Sequence, residues 1–475
     1  MSISYVRKNL VDVARALPLA NAGRERERWP RERLLAHQRE RFASLVAHAS
    51  AASPFYRALY GGPIAARDVR LDALPPVTKT TMMEGLDDFF PDRRLTRAAL
   101  EAHLAGLGGD DAFFLGEYRV MASSGSSGRK GIYVYDRPAW RSFLAGAMRF
   151  TGIAGLRPRL PRPRVAWVAA PDAKHMTRRG TASLSLGPFR SLSLSAAQPL
   201  GELTAALDRF RPEALNGYPS ALAMLATEQL EGRLHIAPRT IATSSEVRTP
   251  EMTGRIRAAW GVEPFDLLGL TELGITAYDC AAHRGMHLLE DRCLFEVVDE
   301  RNRPVPDGTA GHKVLVTNFD NYAQPFIRFE VTDLVTLTDE PCDCGRTTRR
   351  IVALEGRSDD ILELPAIGGG TVRVHPIHLR SPLAAMAEIA QYQIVEAADG
   401  LDVTIVVTAD AGGDAARRLA ATLGDKLATH GVAPLPIRVR VVPQIAREQG
   451  AGKLKLIKSK GSATPPPEVR GAHCA

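Results

Sequence analysis

From Tyr118 to Leu268 short apolar runs alternate with stretches of helical periodicity, and this alternation constrains the fold more than any other feature of the chain. Candidate strands Tyr118 to Ala122, Val165 to Ala170, Ala214 to Asn216, Thr240 to Thr243 and Pro264 to Leu268 are separated by candidate helices Arg137 to Phe150, Leu200 to Phe210, Pro219 to Glu231 and Pro250 to Trp260. Runs of this kind predict an α/β domain. Leu294 to Asp299 and Lys313 to Thr317, on either side of the turn Pro306-Asp307-Gly308, read as an antiparallel pair. Ahead of the core, residues 1–107 read as a helical, Arg-rich cap region of the large domain, in which Leu34, Phe42, Leu45, Val46 and Ala49 recur at mostly three- and four-residue steps between Pro30 and Ala52. Beyond a core over residues 108–357, strands Gln393 to Glu396, Leu401 to Val407 and Ile437 to Val442 around a helix Ala415 to His430 predict a small α+β domain over 358–460. The remainder, 461–475, contains Pro465-Pro466-Pro467 and reads as a disordered tail.

With 475 residues, 45% of them hydrophobic, the chain can bury a large core and is too long for one compact domain. No run of about eighteen apolar residues suggests a membrane span. Arg7, Lys8, Asp12 and Arg15 interrupt the first segment, so it lacks the apolar stretch of a secretory leader and a cytoplasmic location is expected. Five cysteines, Cys280, Cys293, Cys342, Cys344 and Cys474, are too few and too clustered for a disulfide framework and point to metal or unpaired thiols. A net charge of +8 suits an anionic small partner. The alternating signs of Arg24-Glu25-Arg26-Glu27-Arg28 read as a solvated helix face and not as a nucleic-acid patch.

The chemistry begins at Ser123-Ser124-Gly125-Ser126-Ser127-Gly128-Arg129-Lys130-Gly131, directly after a candidate strand. Gly125, Gly128 and Gly131 let successive N–H groups converge on an anion, the four serines add hydroxyl donors, and Arg129 and Lys130 supply charge. This is not the kinase-type nucleotide loop, which needs four residues between its glycines and Gly-Lys-Ser/Thr at its end. Read alone, the loop supports an anion site. A flexible Gly/Ser linker is the plainer alternative, but such linkers normally lack a flanking strand and a basic end.

Four further segments follow in order: Leu268-Gly269-Leu270-Thr271-Glu272, Arg328-Phe329-Glu330-Val331-Thr332-Asp333, Gly356-Arg357-Ser358-Asp359-Asp360 and Gly452-Lys453-Leu454-Lys455. Together with the loop they resemble the successive core motifs of the acyl-adenylate-forming superfamily. Ser53-Pro54-Phe55-Tyr56, Leu74-Pro75-Pro76-Val77-Thr78-Lys79 and Cys342-Asp343-Cys344-Gly345-Arg346 resemble phenylacetate-CoA ligases and their capsule-locus and natural-product relatives. The resemblance implies a large N-terminal adenylate-forming domain with mixed sheets and helices and a small, mobile C-terminal domain, a possible homodimer, and a two-step reaction. A carboxylic acid and MgATP give an acyl-adenylate, and coenzyme A takes the acyl group. An amine or a carrier-protein thiol is the alternative acceptor, and a non-catalytic nucleotide-binding scaffold the alternative of another class. No nucleic acid or membrane partner is implied.

By the same resemblance Ser123, Ser124, Gly125, Ser126, Ser127, Gly128 and Lys130 hold the triphosphate, Thr271 bonds the α-phosphate and Glu272 holds Mg²⁺. Ser244, Ser245, Glu246, Leu268 and Gly269 line the nucleotide, Asp333 accepts the ribose hydroxyls and Arg357 contacts the nucleotide. Lys453 acts in adenylation, Asp359 is the hinge, and Asn216, Gly217, Tyr218 and Gly269 border the acyl group. Each has a plainer reading: Thr271-Glu272 as a helix start, Asp333 as a turn residue, Tyr218 as part of a strand-to-helix turn, Lys453 as one lysine of a basic tail. Leu268 and Phe329-Glu330 depart from the common Tyr and Tyr-Arg of these motifs, and Arg129-Lys130 stand where a proline is common, which leaves the acid open.

Cys280, Cys342 and Cys344 with a histidine form a further candidate, a structural Zn²⁺ site of Cys₃His type. His287, within Gly285-Met286-His287, fits the relatives' pattern better than His283. Reduced buried cysteines without metal are the alternative.

Overall fold

The computed structural model describes residues 3–107, 112–123, 131–157, 159–170, 174–185, 187, 189–384, 386, 388–407, 414–447 and 452–460. Two compact units emerge. The larger comprises Met1–Ser124, Gly131–Ser358 and Ala446–Leu454, and the smaller takes Asp359–Ile445 and the chain from Lys455. Residues 1–107, the helical cap region, lie in the larger unit.

The larger unit is built on a nine-stranded mixed sheet with the order Asp333–Thr338, Arg350–Arg357, Met286–Leu288, Gly274–Asp279, Phe265–Leu270, Thr240–Ser244, Ala214–Gly217, Arg164–Ala169, Arg190–Ser195. The last five of these run parallel to one another, and the rest pair antiparallel. Parallel neighbours need crossovers. The helices Leu200–Phe210, Pro219–Leu230 and Pro250–Trp260 supply them, burying Leu203, Leu207, Leu222, Leu225 and Ile256 against Val168, Leu215 and Ile241 of the strands. The last of these helices is bounded by its sequence: Thr249 accepts the Met252 N–H at its start, and Gly261 adopts φ +67° at its end.

A second sheet, Cys293–Val298, Lys313–Asn318 and Phe329–Val331, is antiparallel and shares a core with the helix Arg31–Ala52 through Phe42, Leu45, Phe295, Val316 and Phe329. A hairpin, Arg119–Ala122 with Ile132–Tyr135, brackets the glycine-serine loop.

The long first helix, Ile3–Arg26, lies in the region read as a helical cap, but no periodicity singles it out. Its buried face carries Asn9 and Asp12 beside Ala16 and Ala20, which breaks the apolar periodicity a helix is recognised by. Asp12 is fully buried and paired with Arg119, Arg137 and Arg141 at 3.3, 2.9 and 2.8 Å. The charged run at the end of this helix is likewise not a uniformly solvated face, as expected above. Glu25 and Arg28 are exposed, but Glu27 is buried, with its carboxylate against Arg149 (2.6 Å), Arg346 (2.8 Å) and the Tyr278 hydroxyl. Arg149 also holds Asp291 at 2.9 Å.

The smaller unit has a four-stranded sheet in the order Ile437–Val441, Leu401–Val407, Ile389–Glu396, Ile457–Lys458. The helix Ala415–Thr429 buries Leu419, Leu423 and Leu427, one face at four-residue spacing. Among the described residues no helix is long and apolar enough to cross a membrane.

Burial pushes the Glu27 carboxyl up, but the two guanidinium groups and Tyr278 outweigh burial and hold it below its ordinary 4.5. A carboxylate depressed in the fold stabilises above its unfolded pKa and loses that contribution as pH falls through its folded value. Arg149→Ala, which leaves Glu27 and Asp291 facing each other without their shared cation, is therefore expected to lower the unfolding free energy at pH 7 by about 3–5 kcal/mol in urea titrations. For Glu27→Gln the deficit relative to the wild type should shrink as pH is lowered below 4.5.

Candidate active site

Parallel strands end on a common edge of a sheet, and the turns that leave such an edge are where α/β folds gather ligands. Here three neighbouring strands deliver candidate residues at their carboxyl ends: Asn216-Gly217-Tyr218, Ser244-Ser245-Glu246 and Thr271-Glu272. Ser245 takes φ +71°, a left-handed conformation uncommon for a side-chain-bearing residue, at the point where the chain leaves its strand.

The pair Thr271-Glu272 is held from the hairpin strand Ile132–Tyr135. Tyr133 donates its hydroxyl to Glu272 Oε1 at 2.7 Å, and Tyr135 donates to the Thr271 carbonyl at 2.9 Å. Asn318 Nδ2 donates to the Glu272 carbonyl at 2.9 Å. Burial pushes both tyrosine phenols well above their ordinary range, with the Glu272 charge acting the same way, so they remain donors. The same Tyr133 hydroxyl also interacts with Ser123. Ser123 in turn accepts from Gly131 N at 3.0 Å and Lys79 Nζ at 3.3 Å, while its own N–H donates to the Gly131 carbonyl at 3.0 Å. Ser123 and Gly131 thus close the neck of the loop. The candidates Ser124, Gly125, Ser126, Ser127, Gly128 and Lys130 lie outside the described residues.

Asp333 and Arg357 face each other across two adjacent strands, with the guanidinium 3.5 Å from the carboxylate. Arg357 also acts electrostatically on Tyr133, so this pair lies near the Glu272 group. Asp359 opens the smaller unit, one residue after the chain leaves the larger one.

Glu246, expected in the lining of the nucleotide, has a side chain only 7% exposed, and its carboxylate accepts Ser220 N at 3.2 Å and Leu454 N at 2.7 Å. That second bond places the segment of Lys453 beside the strand end carrying Ser244 and Ser245. Tyr218 is buried, and Asn216 nearly so. Gly217 is required by packing within the sheet: a Cβ there would sit 2.4 Å from the Val168 carbonyl. Gly269, by contrast, is exposed, and a Cβ there would meet only the Gly274 carbonyl at 3.7 Å. Leu268 packs partly buried against the core shared by the second sheet.

A separate group gathers Cys280, His287, Cys342 and Cys344, whose ligand atoms all lie within 4.8 Å of one another. Cys280 Sγ and Cys342 Sγ are 3.7 Å apart, close to the edge of a tetrahedron with metal–sulfur bonds of about 2.3 Å. His287 Nε2 is 3.3 Å from Cys344 Sγ, and its Nδ1 faces the Thr348 carbonyl and hydroxyl at 3.3 and 3.1 Å. A proton on Nδ1 shared with Thr348 leaves the Nε2 lone pair toward the sulfurs. Burial, with Arg346 nearby, lowers the imidazole to about 4, so it is neutral at pH 7. His283 is not in the group; its ring lies tilted against Phe265, and it faces Asp279. Cys280, Cys293, Cys342 and Cys344 are unpaired thiols.

No family model matches the chain. It is 29% identical over 395 residues to a phenylacetate-coenzyme A ligase of Thermus thermophilus, covering 79% of this chain and 81% of that one. It is 26% identical over 298 residues to the phenylacetate-coenzyme A ligase of Escherichia coli, covering 58% and 62% respectively. The crystal structure of 2-hydroxyisobutyryl-CoA ligase in the postadenylation state with 2-HIB-AMP superposes with a TM-score of 0.71 at 23% identity, over 91% of both chains, and shows the shared fold. In sequence the chain is thus similar to phenylacetate-coenzyme A ligases, and in fold to an acyl-CoA ligase. Its large N-terminal and small C-terminal units match the fold of these ligases, and its sequence relatives are named as coenzyme A ligases.

Apart from Lys79, which ends the segment Leu74-Pro75-Pro76-Val77-Thr78-Lys79, the residues that orient the candidate site were not singled out by motif. Tyr133, Tyr135, Asn318 and Lys79 act by holding other groups, and only the alternation Ile132-Tyr133-Val134-Tyr135 right after the loop signals a strand aimed at it. Gly131 adds a constraint: a Cβ there would lie 2.5 Å from the Tyr133 hydroxyl and 2.7 Å from its ring. Tyr133→Phe is expected to lower adenylation about tenfold and raise the magnesium concentration needed for half-maximal rate, because a bond to a carboxylate is lost. Gly131→Ala should reproduce the effect by displacing the ring; unchanged magnesium dependence in both variants would refute the role given to Tyr133.

Proposed function

We propose that the chain activates a carboxylic acid with MgATP to an acyl-adenylate and transfers the acyl group to coenzyme A. The observation that carries the reading is the joining of the loop neck at Ser123 to Glu272 through one tyrosine hydroxyl, since a triphosphate-holding loop and a metal-holding carboxylate must act on the same phosphates. Relatives named as acyl-CoA ligases support the class of acceptor.

The chemistry asks little of a general base. A carboxylate is already ionised and attacks the α-phosphorus, with pyrophosphate leaving, so the protein's task is to position and to neutralise charge. Glu272, with its carboxylate fixed by Tyr133, would hold Mg²⁺, a hard cation suited to carboxylate and phosphate oxygens, which when bound neutralises phosphate charge. The Thr271 hydroxyl would donate to the α-phosphate. Asp333, with two oxygens, would accept the ribose hydroxyls while Arg357 beside it meets the nucleotide. Lys453 would bring a point charge between the acid and the α-phosphate. Asp359, at the start of the smaller unit, would be the hinge that withdraws Lys453 before thiol attack. Tyr218 and Asn216 would border an aryl or alkyl acid.

Acid-dependent exchange of labelled pyrophosphate into ATP, run with a panel of aryl and alkyl acids, tests the first step. Lys453→Ala is expected to lower exchange at least about a hundredfold; exchange unchanged by that substitution would remove Lys453 from the reaction. Product analysis with coenzyme A, an amine or a carrier protein then identifies the acceptor.

The Cys₃His group fits a structural Zn²⁺, because its four ligand atoms lie within 4.8 Å of one another, one S–S separation matches a tetrahedral edge, and four protein ligands leave no open position. Metal analysis is expected to find about one zinc per chain. Cys344→Ser should lose it and lower the melting temperature while leaving pyrophosphate exchange measurable below that temperature. Metal-free protein with an unaltered melting curve would show that the thiols serve packing alone.

A further inference from the structure

The chain on both sides of Ala446–Leu454 belongs to the smaller unit, yet this segment groups with the larger one. None of its described residues lies in a helix or strand, so backbone pairing does not fix it. Two buried side chains do. Glu246 Oε1 accepts the Leu454 N–H at 2.7 Å, which is the N–H of the peptide bond following Lys453. Arg447 Nη1 donates to the Gly452 carbonyl at 3.1 Å, the carbonyl of the peptide bond preceding Lys453. Both peptide groups of Lys453 are therefore gripped.

The grip is itself anchored. Glu246 Oε2 accepts the Ser220 N–H at 3.2 Å, in the first turn of the helix Pro219–Leu230, where exposed N–H groups favour a carboxylate. Arg447 Nη1 also donates to Ser220 Oγ at 3.0 Å and lies 3.8 Å from Glu246, and the two side chains are only 5% and 7% exposed. Removing two charges from water to this degree gives little net stability, and burial works against the charged form of each. The geometry they impose is the gain. A lysine side chain has four rotatable bonds, so its ammonium group can be placed only if the backbone at its root is fixed.

We infer that Glu246 and Arg447 are positioning residues whose shared grip on Gly452 and Leu454 sets Lys453 for the adenylation half-reaction. Glu246 thus serves the site through the lysine segment and not, as its place beside Ser244 and Ser245 suggested, through the base of the nucleotide.

The inference rests on the assignment of Lys453 to adenylation, and the experiment separates the two. Pyrophosphate exchange and thioester formation from supplied acyl-adenylate and coenzyme A are measured for Arg447→Met, Arg447→Lys, Lys453→Ala and Lys453→Ala/Arg447→Met. Arg447→Met is expected to lower kcat for exchange about 10- to 100-fold, with KM for ATP and the thioester step changed by less than about threefold. Arg447→Lys should recover part of the loss, and the double variant should be no slower in exchange than Lys453→Ala, since both changes act through one group. Equal losses in the two half-reactions, or additive losses in the double variant, would overturn the grip while leaving Lys453 in place. A rise in KM for ATP at unchanged kcat in Glu246→Gln would assign Glu246 to the nucleotide and overturn it as well. If Lys453→Ala itself exchanges normally, the assignment of Lys453 fails and the positioning role falls with it.

Discussion

The site depends on one constraint: adjacent strands that run parallel finish on the same side of the sheet. The strands ending at Gly217, Ser244 and Leu270 are neighbours in that arrangement, so the residues just past them are neighbours as well, although dozens of positions separate them in the chain. Had Phe265–Leu270 paired antiparallel with Thr240–Ser244, Thr271 and Glu272 would leave from the far edge. The direction in turn follows from the helices between the strands, whose buried leucines pack each crossover onto the sheet.

Around this frame, buried charge is used for location more than for cohesion. Asp12 with its three arginines, and Glu27 with Arg149 and Arg346, tie the first helix to the helix Arg137–Ile153 and to the loop of the cysteine group. An apolar contact tolerates sliding; a carboxylate in the fork of a guanidinium does not. The Glu246 and Arg447 pair belongs to the same kind, with the difference that what it locates is a short stretch of backbone.

Much of the architecture was legible because local pattern and tertiary environment agree. The strands near Val165, Ala214, Thr240 and Pro264, and the helices between them, stand within a few residues of where periodicity puts them, since each helix has one buried stripe and each strand a short apolar run. The first helix was not legible, because Asn9 and Asp12 occupy its buried face and look like surface residues until their arginine partners arrive from more than a hundred positions away. Gly274–Asp279, buried on both faces, shows no alternation and gives no strand signal. At the candidate site, motif order pointed to Thr271, Glu272, Asp333 and Lys453, whereas Tyr133, Asn318 and Arg447 have no motif: they act on other residues, and that relation exists only in three dimensions.

The chain passes from one unit to the other at Ser358, returns at Ala446 and departs again after Leu454. The two units are consequently not separable by a single cut. A polypeptide ending at Ser358 lacks more than the smaller unit: it also forfeits Arg447, Lys453 and Leu454 from the larger, leaving Glu246 buried with two of its partners missing. Any modular exchange of the smaller unit between related chains therefore carries part of the larger unit's interior with it, and a boundary drawn after Ser358 alone would divide a hydrogen-bonded interior between two parents.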